Sequence, residues 1–182
     1  MATKLTLDLM QGNFDEVLDG IEKYEKWLNA KCTELSEKVA ERIQKQARLY
    51  AALCTWYARD IKGGTDVFYK ANIDITVSPG ENGIFLVIAN GQDAVWAEFG
   101  TGVYYNSPVG TSPNPLVENT KPSLTIGSWG KNGGKELWTY TEENDKRPLR
   151  THGIEATMPL YNAQKDISFE IGNIAREVFG SD

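Results

Sequence analysis

"NIDITVSPGENGIFLVIANGQDAVWAEF", residues 72–99, is where the chain stops repeating every three or four residues and starts repeating every two. Ile73, Ile75 and Val77 alternate with polar neighbours across 72–78, and residues 84–89 (IFLVIA) form a short apolar run bounded by turn residues. Both patterns predict strands, and residues 94–99 (AVWAEF) predict a third. Pro79-Gly80 to Gly83, and then Asn90-Gly91, supply the turns, so 72–99 is expected to be an antiparallel β-meander. A fourth strand is expected over 136–141 (ELWTYT).

Upstream of this segment the period is helical. Phe14, Leu18, Ile21, Tyr24, Leu28, Cys32, Leu35, Val39, Ile43, Ala47, Tyr50 and Cys54 make eleven steps over 40 residues, about 3.6 residues per step, as in an unbroken α-helix. Asn13 with Glu16 three residues on makes an N-terminal capping box, and Gly63-Gly64 offers the stop. One long helix is expected over 14–60. Glu22–Lys26, Glu34–Lys38 and Glu41–Lys45 are i, i+4 pairs in the favourable order, so the charged residues form its solvated face rather than a binding tail. The spacing drifts from the 3.5 of a two-stranded coiled coil, which favours packing on a sheet over an extended zipper. Trp27, Trp56 and Tyr57 lie off the stripe and are candidate subunit contacts.

Downstream, Pro159 opens a second amphipathic helix. Leu160, Ala163, Ile167, Ile171, Ile174 and Val178 recur at helical spacing and Gly180 ends the pattern, which predicts a helix over 159–179. The fold class that follows is α+β. A small antiparallel β-sheet is packed by a long N-terminal helix and a C-terminal amphipathic helix, and a long Gly/Pro-rich loop separates two of the strands. The chain of 182 residues with 41% hydrophobic content is large enough to close one core, so 1–182 is expected to be a single domain.

The loop, 100–135, holds 7 Gly and 4 Pro in 36 residues, and structureless segments of that length are functional or disordered when they occur in compact domains. Val103, Tyr104, Tyr105, Leu116, Ile126 and Trp129 make it too apolar for a plain linker, so it is expected to meet a surface.

Several classes of chemistry lack their residues. Gly100-Thr101-Gly102 has Tyr105 where a dinucleotide fingerprint needs its third glycine, and Gly130 to Lys135 has neither the spacing nor the Ser/Thr of a phosphate-binding loop. His152 is the only histidine, and Cys32 and Cys54 show no ligand spacing with it, so neither a metal nor a cofactor is expected. Glu98 and His152 have no nucleophile or second positioned carboxylate beside them in the sequence, and no catalytic residue is expected. A formal charge of -6 argues against a duplex-DNA groove binder. No apolar run approaches the roughly 20 residues of a membrane span, and the first residues lack a signal-peptide layout, so residence in the cytosol of the producing cell is expected.

Three short motifs occur in order: Glu98-Phe99-Gly100-Thr101-Gly102, then Trp138 and Tyr140 in "LWTY", then Thr151, Gly153, Ala156, Pro159, Leu160, Tyr161 and Ala163 in "THGIEATMPLYNA". Together with the helix–strand order, they make nearly the whole chain resemble the small minor tail, or neck, proteins of long-tailed bacteriophages and prophages. The resemblance implies a non-enzymatic virion protein of the head–tail junction, made in the host bacterial cytoplasm. It would assemble as a homo-oligomeric ring, expected to be a hexamer, and help complete or join the tail beside neighbouring neck and tail proteins. "EFGTG" then reads as a scaffold corner, with glycines that let the chain leave a strand and a Glu98 that accepts hydrogen bonds from the turn or a neighbour. Trp138 and Tyr140 read as sheet-packing aromatics or interface anchors, and 151–159 as a helix entry or a contact with the next ring. The competing reading is a cytosolic protein- or peptide-binding module whose Gly-rich loop folds over its partner.

Overall fold

The computed structural model describes residues 14–100, 114–115, 138–141, 148–151 and 154–180. In chain order these form α1 (Phe14–Leu53), β1 (Thr55–Asp60), β2 (Asp66–Lys70), β3 (Asp74–Pro79), a 3-10 turn (Glu81–Gly83), β4 (Phe85–Asn90), α2 (Ala94–Phe99), β5 (Trp138–Thr141), β6 (Pro148–Thr151) and α3 (Pro159–Phe179). The architecture is α+β as expected, with all strand pairs antiparallel.

The strands divide into two sheets. β3 and β4 form a two-stranded hairpin, while a four-stranded sheet has the order β2-β1-β6-β5. In the second sheet Ala58 stands opposite Val67 on one side and Thr151 on the other, and Thr151 in turn stands opposite Trp138.

Three expectations about elements are corrected. The first helix ends at Leu53 rather than 60, and 55–60 is a strand. Within it Ala58 and Asp60 are buried and Trp56 half-buried, whereas Thr55 and Arg59 are exposed, a period of two that the adjoining helical stripe masks. The switch occurs at Cys54, whose amide still donates to Ala51 while its carbonyl already accepts from Ala71 beyond β2. Gly63-Gly64 is accordingly the connection between β1 and β2 and not a helix stop.

The second correction is that 94–99 is a helical turn and a half, so the meander has two strands and not three. Ala94, Ala97 and Glu98 are buried together while Val95 and Trp96 are exposed, which is i, i+3, i+4 spacing. The turn before it fixes the geometry. Asp93 accepts the Asn72 amide hydrogen at 2.8 Å, and Gly91 has φ +117 with its Cα so near Asn72 that a Cβ would lie 2.2 Å from the Asn72 carbonyl oxygen. The third correction is that β2 and β6 were not anticipated; their five and four residues are too short to stand out by periodicity.

Helix α1 is the spine. Its small residues Ala47 and Ala51 meet Ala163 of α3 and Ile75 of β3, with Ile43, Tyr50, Val87 and Leu160 around them. A second cluster joins Cys54, Ala71, Ala97 and Ile154, which brings α2 and the entry to α3 against the end of α1. Polar links finish the packing: Tyr50 donates to Asp166 at 2.6 Å, and the Ile75 carbonyl of β3 accepts from Gln44 at 2.9 Å and from Arg48 at 2.8 and 3.1 Å. Those α1 side chains occupy a carbonyl that a short hairpin would otherwise leave to solvent.

Candidate functional site, the Glu98 corner

The residues singled out from the sequence come together at the start of α3. An α-helix opens with peptide N–H groups that lack partners within the helix. Here the N-cap position is Met158, in left-handed conformation (φ 50, ψ 54), and its side chain makes no cap. Pro159 follows, buried, and contributes no N–H. The next two donors are taken by one side chain from elsewhere in the chain. Glu98 Oε2 accepts from the Leu160 amide at 2.9 Å and Oε1 from the Tyr161 amide at 3.0 Å. The next amide, Asn162, donates to the Met158 carbonyl at 2.9 Å, so every first-turn N–H is satisfied.

The corner is held from two further sides. Asn114 Nδ2 donates to Glu98 Oε1 at 2.9 Å, and Asn114 is 1% exposed. One residue back, the Ala97 carbonyl accepts from the amides of Thr157 at 2.9 Å and Met158 at 3.0 Å. The end of α2 therefore both donates a carboxylate to the mouth of α3 and pairs with the segment leading into it. Negative charge at a helix N-terminus is favourable, by about 0.3–1 kcal/mol when exposed and up to about 2 kcal/mol when partly buried. Glu98 is 7% exposed.

Gly100 closes α2. Its amide donates to the Trp96 carbonyl at 2.6 Å and its backbone has φ 77, ψ 168, a region that residues with a Cβ rarely enter. The chain can turn away here only because this position has no side chain.

The structure thus unites Glu98, Gly100 and Pro159, and adds Asn114, which sequence reasoning missed. Its only signal was a place between Pro113 and Pro115 in the long loop. Glu98 is expected to accept from its own turn or from a neighbour, and its partners lie instead 16, 62 and 63 positions away in the same chain. Phe99 is half-buried at the last position of α2. Thr151 is buried on β6, where it stands opposite Trp138; Tyr140 stands opposite Leu149. Trp138 and Tyr140 belong to β5, the edge strand that pairs with β6. Thr101, Gly102 and Gly153 lie outside the described residues, as does nearly all of the predicted loop 100–135.

Chemically the corner is a clamp. Both Glu98 oxygens meet peptide or amide N–H donors, which fix the carboxylate in place. Cys54 is fully buried near it, and burial pushes its thiol pKa up, which disfavours the thiolate. Among the described residues no three His, Cys, Asp or Glu side chains are grouped to hold a metal ion. Among the same residues no helix is long and apolar enough to cross a membrane.

Compared with known proteins, the chain matches no family model, no curated protein and no solved structure.

Proposed function

We propose that this chain is a non-enzymatic structural protein of the head–tail junction of a long-tailed phage or prophage, acting as a ring that completes or joins the tail. The observation that supports the reading is the Glu98 clamp. Two of the three motifs that carry the resemblance, "EFGTG" and "THGIEATMPLYNA", are far apart in sequence and are joined by the Glu98 hydrogen bonds to Leu160 and Tyr161. A motif pair whose purpose is to fix a helix end against a turn suits a scaffold, because the buried carboxylate is committed to geometry rather than held ready for a substrate. The partners on this reading are other copies of the chain and the neighbouring neck and tail proteins, with no cofactor, no membrane and no specific nucleic-acid site.

Deleting the gene from the phage or prophage that encodes it tests the proposal. The expected outcome is heads and tails that accumulate unjoined, or tails that fail to complete, in electron micrographs of lysates. Complete infectious particles lacking the protein would overturn it and leave the peptide-binding module as the better account.

A further inference from the structure

Among the described residues two helical surfaces stand exposed, and they are complementary. The first is the start of α1. Helix α3 ends at Phe179, whose ring meets Trp27 edge-on with centroids 6.0 Å apart. Residues 14–26 precede that contact and extend α1 by about 20 Å. Phe14, Leu18, Ile21 and Tyr24 lie along one face of this arm at helical spacing, each between 44% and 58% exposed. The arm is acidic, with five carboxylates against Lys23 and Lys26, and Asp15, Glu22 and Glu25 border the apolar stripe.

The second surface is the outer face of α3. Its buried side is Ala163, Ile167, Ile174 and Val178. Directly opposite, at i, i+4, i+7 and i+11, stand Lys165, Phe169, Gly172 and Arg176, all exposed. Phe169 is 79% exposed, and a side chain added at Gly172 would meet nothing within 4 Å, so a shallow notch lies beside an aromatic ring. No carboxylate shares this face. Asp166 is turned to Tyr50 and Gln46, and Glu177 to Arg42.

We infer that the acidic apolar arm, residues 14–25, docks on the Lys165–Phe169–Gly172–Arg176 face of a second copy of this chain. Three things select a second copy as the occupant. The charges are opposite, which gives both attraction and register. The spans match, since 14–25 and 165–176 each cover eleven residue steps, about 16 Å of helix. The same-chain contact is barred, because α1 packs on the opposite side of α3 and the arm leads away past its end. Gly172 leaves open space beside the exposed Phe169 ring, which suits the apolar rings of the arm. Since the two patches differ, the contact is head-to-tail, the kind that closes into a ring when the rotation allows. The inference rests on the ring reading above and specifies which surfaces build it.

Charge reversal tests it by sedimentation and mass measurement of the full chain over a range of concentrations. One variant carries Asp15→Lys, Glu22→Lys and Glu25→Lys; the other carries Lys165→Glu and Arg176→Glu. Each alone is expected to self-associate at least tenfold more weakly than the unaltered chain, with circular dichroism unchanged. Mixed together, they are expected to recover assembly, because each basic arm then meets an acidic α3 face and each acidic arm a basic one. Unaltered assembly in both variants would overturn the docking and place the interface elsewhere, with the ring intact. Loss of assembly in both without recovery on mixing would also overturn it. A chain that never associates at any concentration overturns the docking too, while the head–tail reading is judged by the gene-deletion experiment alone.

Discussion

Glu98 and Leu160 are joined by a 2.9 Å hydrogen bond across 62 positions of sequence, and the same carboxylate reaches Tyr161. Replacing Glu98 by Ala leaves two peptide donors at the mouth of α3 without their acceptor, at roughly 1–3 kcal/mol each if they stay dry. We expect Glu98→Ala to lower unfolding stability by about 2–4 kcal/mol, and Glu98→Gln by less, since one amide oxygen still accepts. Urea titration of the three proteins checks the order; equal stability of Glu98→Ala and the unaltered chain would remove the clamp.

Backbone geometry makes a second prediction at Gly100. With φ 77 and ψ 168 it lies where β-branched residues are strained, so Gly100→Val should cost more than about 1 kcal/mol. Gly91→Ala should do at least as much harm, because the new methyl would stand 2.2 Å from the Asn72 carbonyl oxygen, a backbone atom that cannot rotate away. Thermal unfolding measures both, and a Gly91→Ala chain with an unchanged midpoint would contradict the turn described here.

Tyr50 gives the fold an alkaline dependence of known sign. Its hydrogen bond to Asp166 is the main cause that raises its pKa above the ordinary value of about 10, since a neighbouring carboxylate favours the protonated phenol. The folded state therefore holds this proton more tightly than the unfolded chain. Its contribution is complete below the unfolded pKa and is lost as pH rises through the folded one. Tyr50→Phe should be less stable than the unaltered chain near neutrality, with the gap closing above about pH 10. Urea midpoints at rising pH test this, and a gap that widens would reverse the assignment.

The two thiols should separate cleanly under a labelling reagent. Cys32 is exposed on α1, whereas Cys54 is buried and its thiolate disfavoured by desolvation. One thiol per chain is expected to react promptly at neutral pH and the second only on denaturation. Two fast thiols would show that the cluster around Cys54 opens readily.

The net charge of -6 sets an expectation for DNA. Retention on duplex DNA at about 150 mM salt is not expected, since sequence-independent affinity needs neutralised phosphates and falls steeply with salt. Micromolar binding abolished by changing the three lysines of the 100–135 loop, Lys121, Lys131 and Lys135, to Gln would move the protein toward a DNA-gripping role.

What the sequence made legible was whatever repeats over many turns. The stripe from Phe14 and the one from Leu160 each persist over several helical turns, so α1 and α3 were legible as helices, α3 with its start at Pro159; the capping residue expected for α1, Asn13, lies outside the described residues. β3 alternates apolar and polar residues up to Pro79-Gly80, and β4 is an apolar run between Gly83 and Gly91, so both were legible as strands. The failures lie in short elements with neither a long stripe nor a glycine-bounded apolar run of strand length: 55–60, 66–70, 94–99 and 148–151 are six residues or shorter, and over such a span the periods of 2 and 3.6 are satisfied by the same few side chains. At the corner, Glu98, Gly100 and Pro159 were visible because a charge, a glycine and a proline each have few reasons to occupy such places. Their convergence was not, since no local pattern records that a carboxylate on one short helix will serve the amides of another helix 62 positions later.

Pinning the chain at Gly100 and again where β5 pairs with β6 has an evolutionary consequence. Once both anchor points are fixed by the rest of the frame, the number of residues between them matters little to stability, since doubling the length of a connection adds only about 0.6 kcal/mol of closure entropy. Apart from Asn114, whose amide holds Glu98, the length between positions 100 and 138 can therefore change at little cost to the helices and sheets. Whatever neighbour that segment is selected to meet, the molecule can be refitted to it without being refolded.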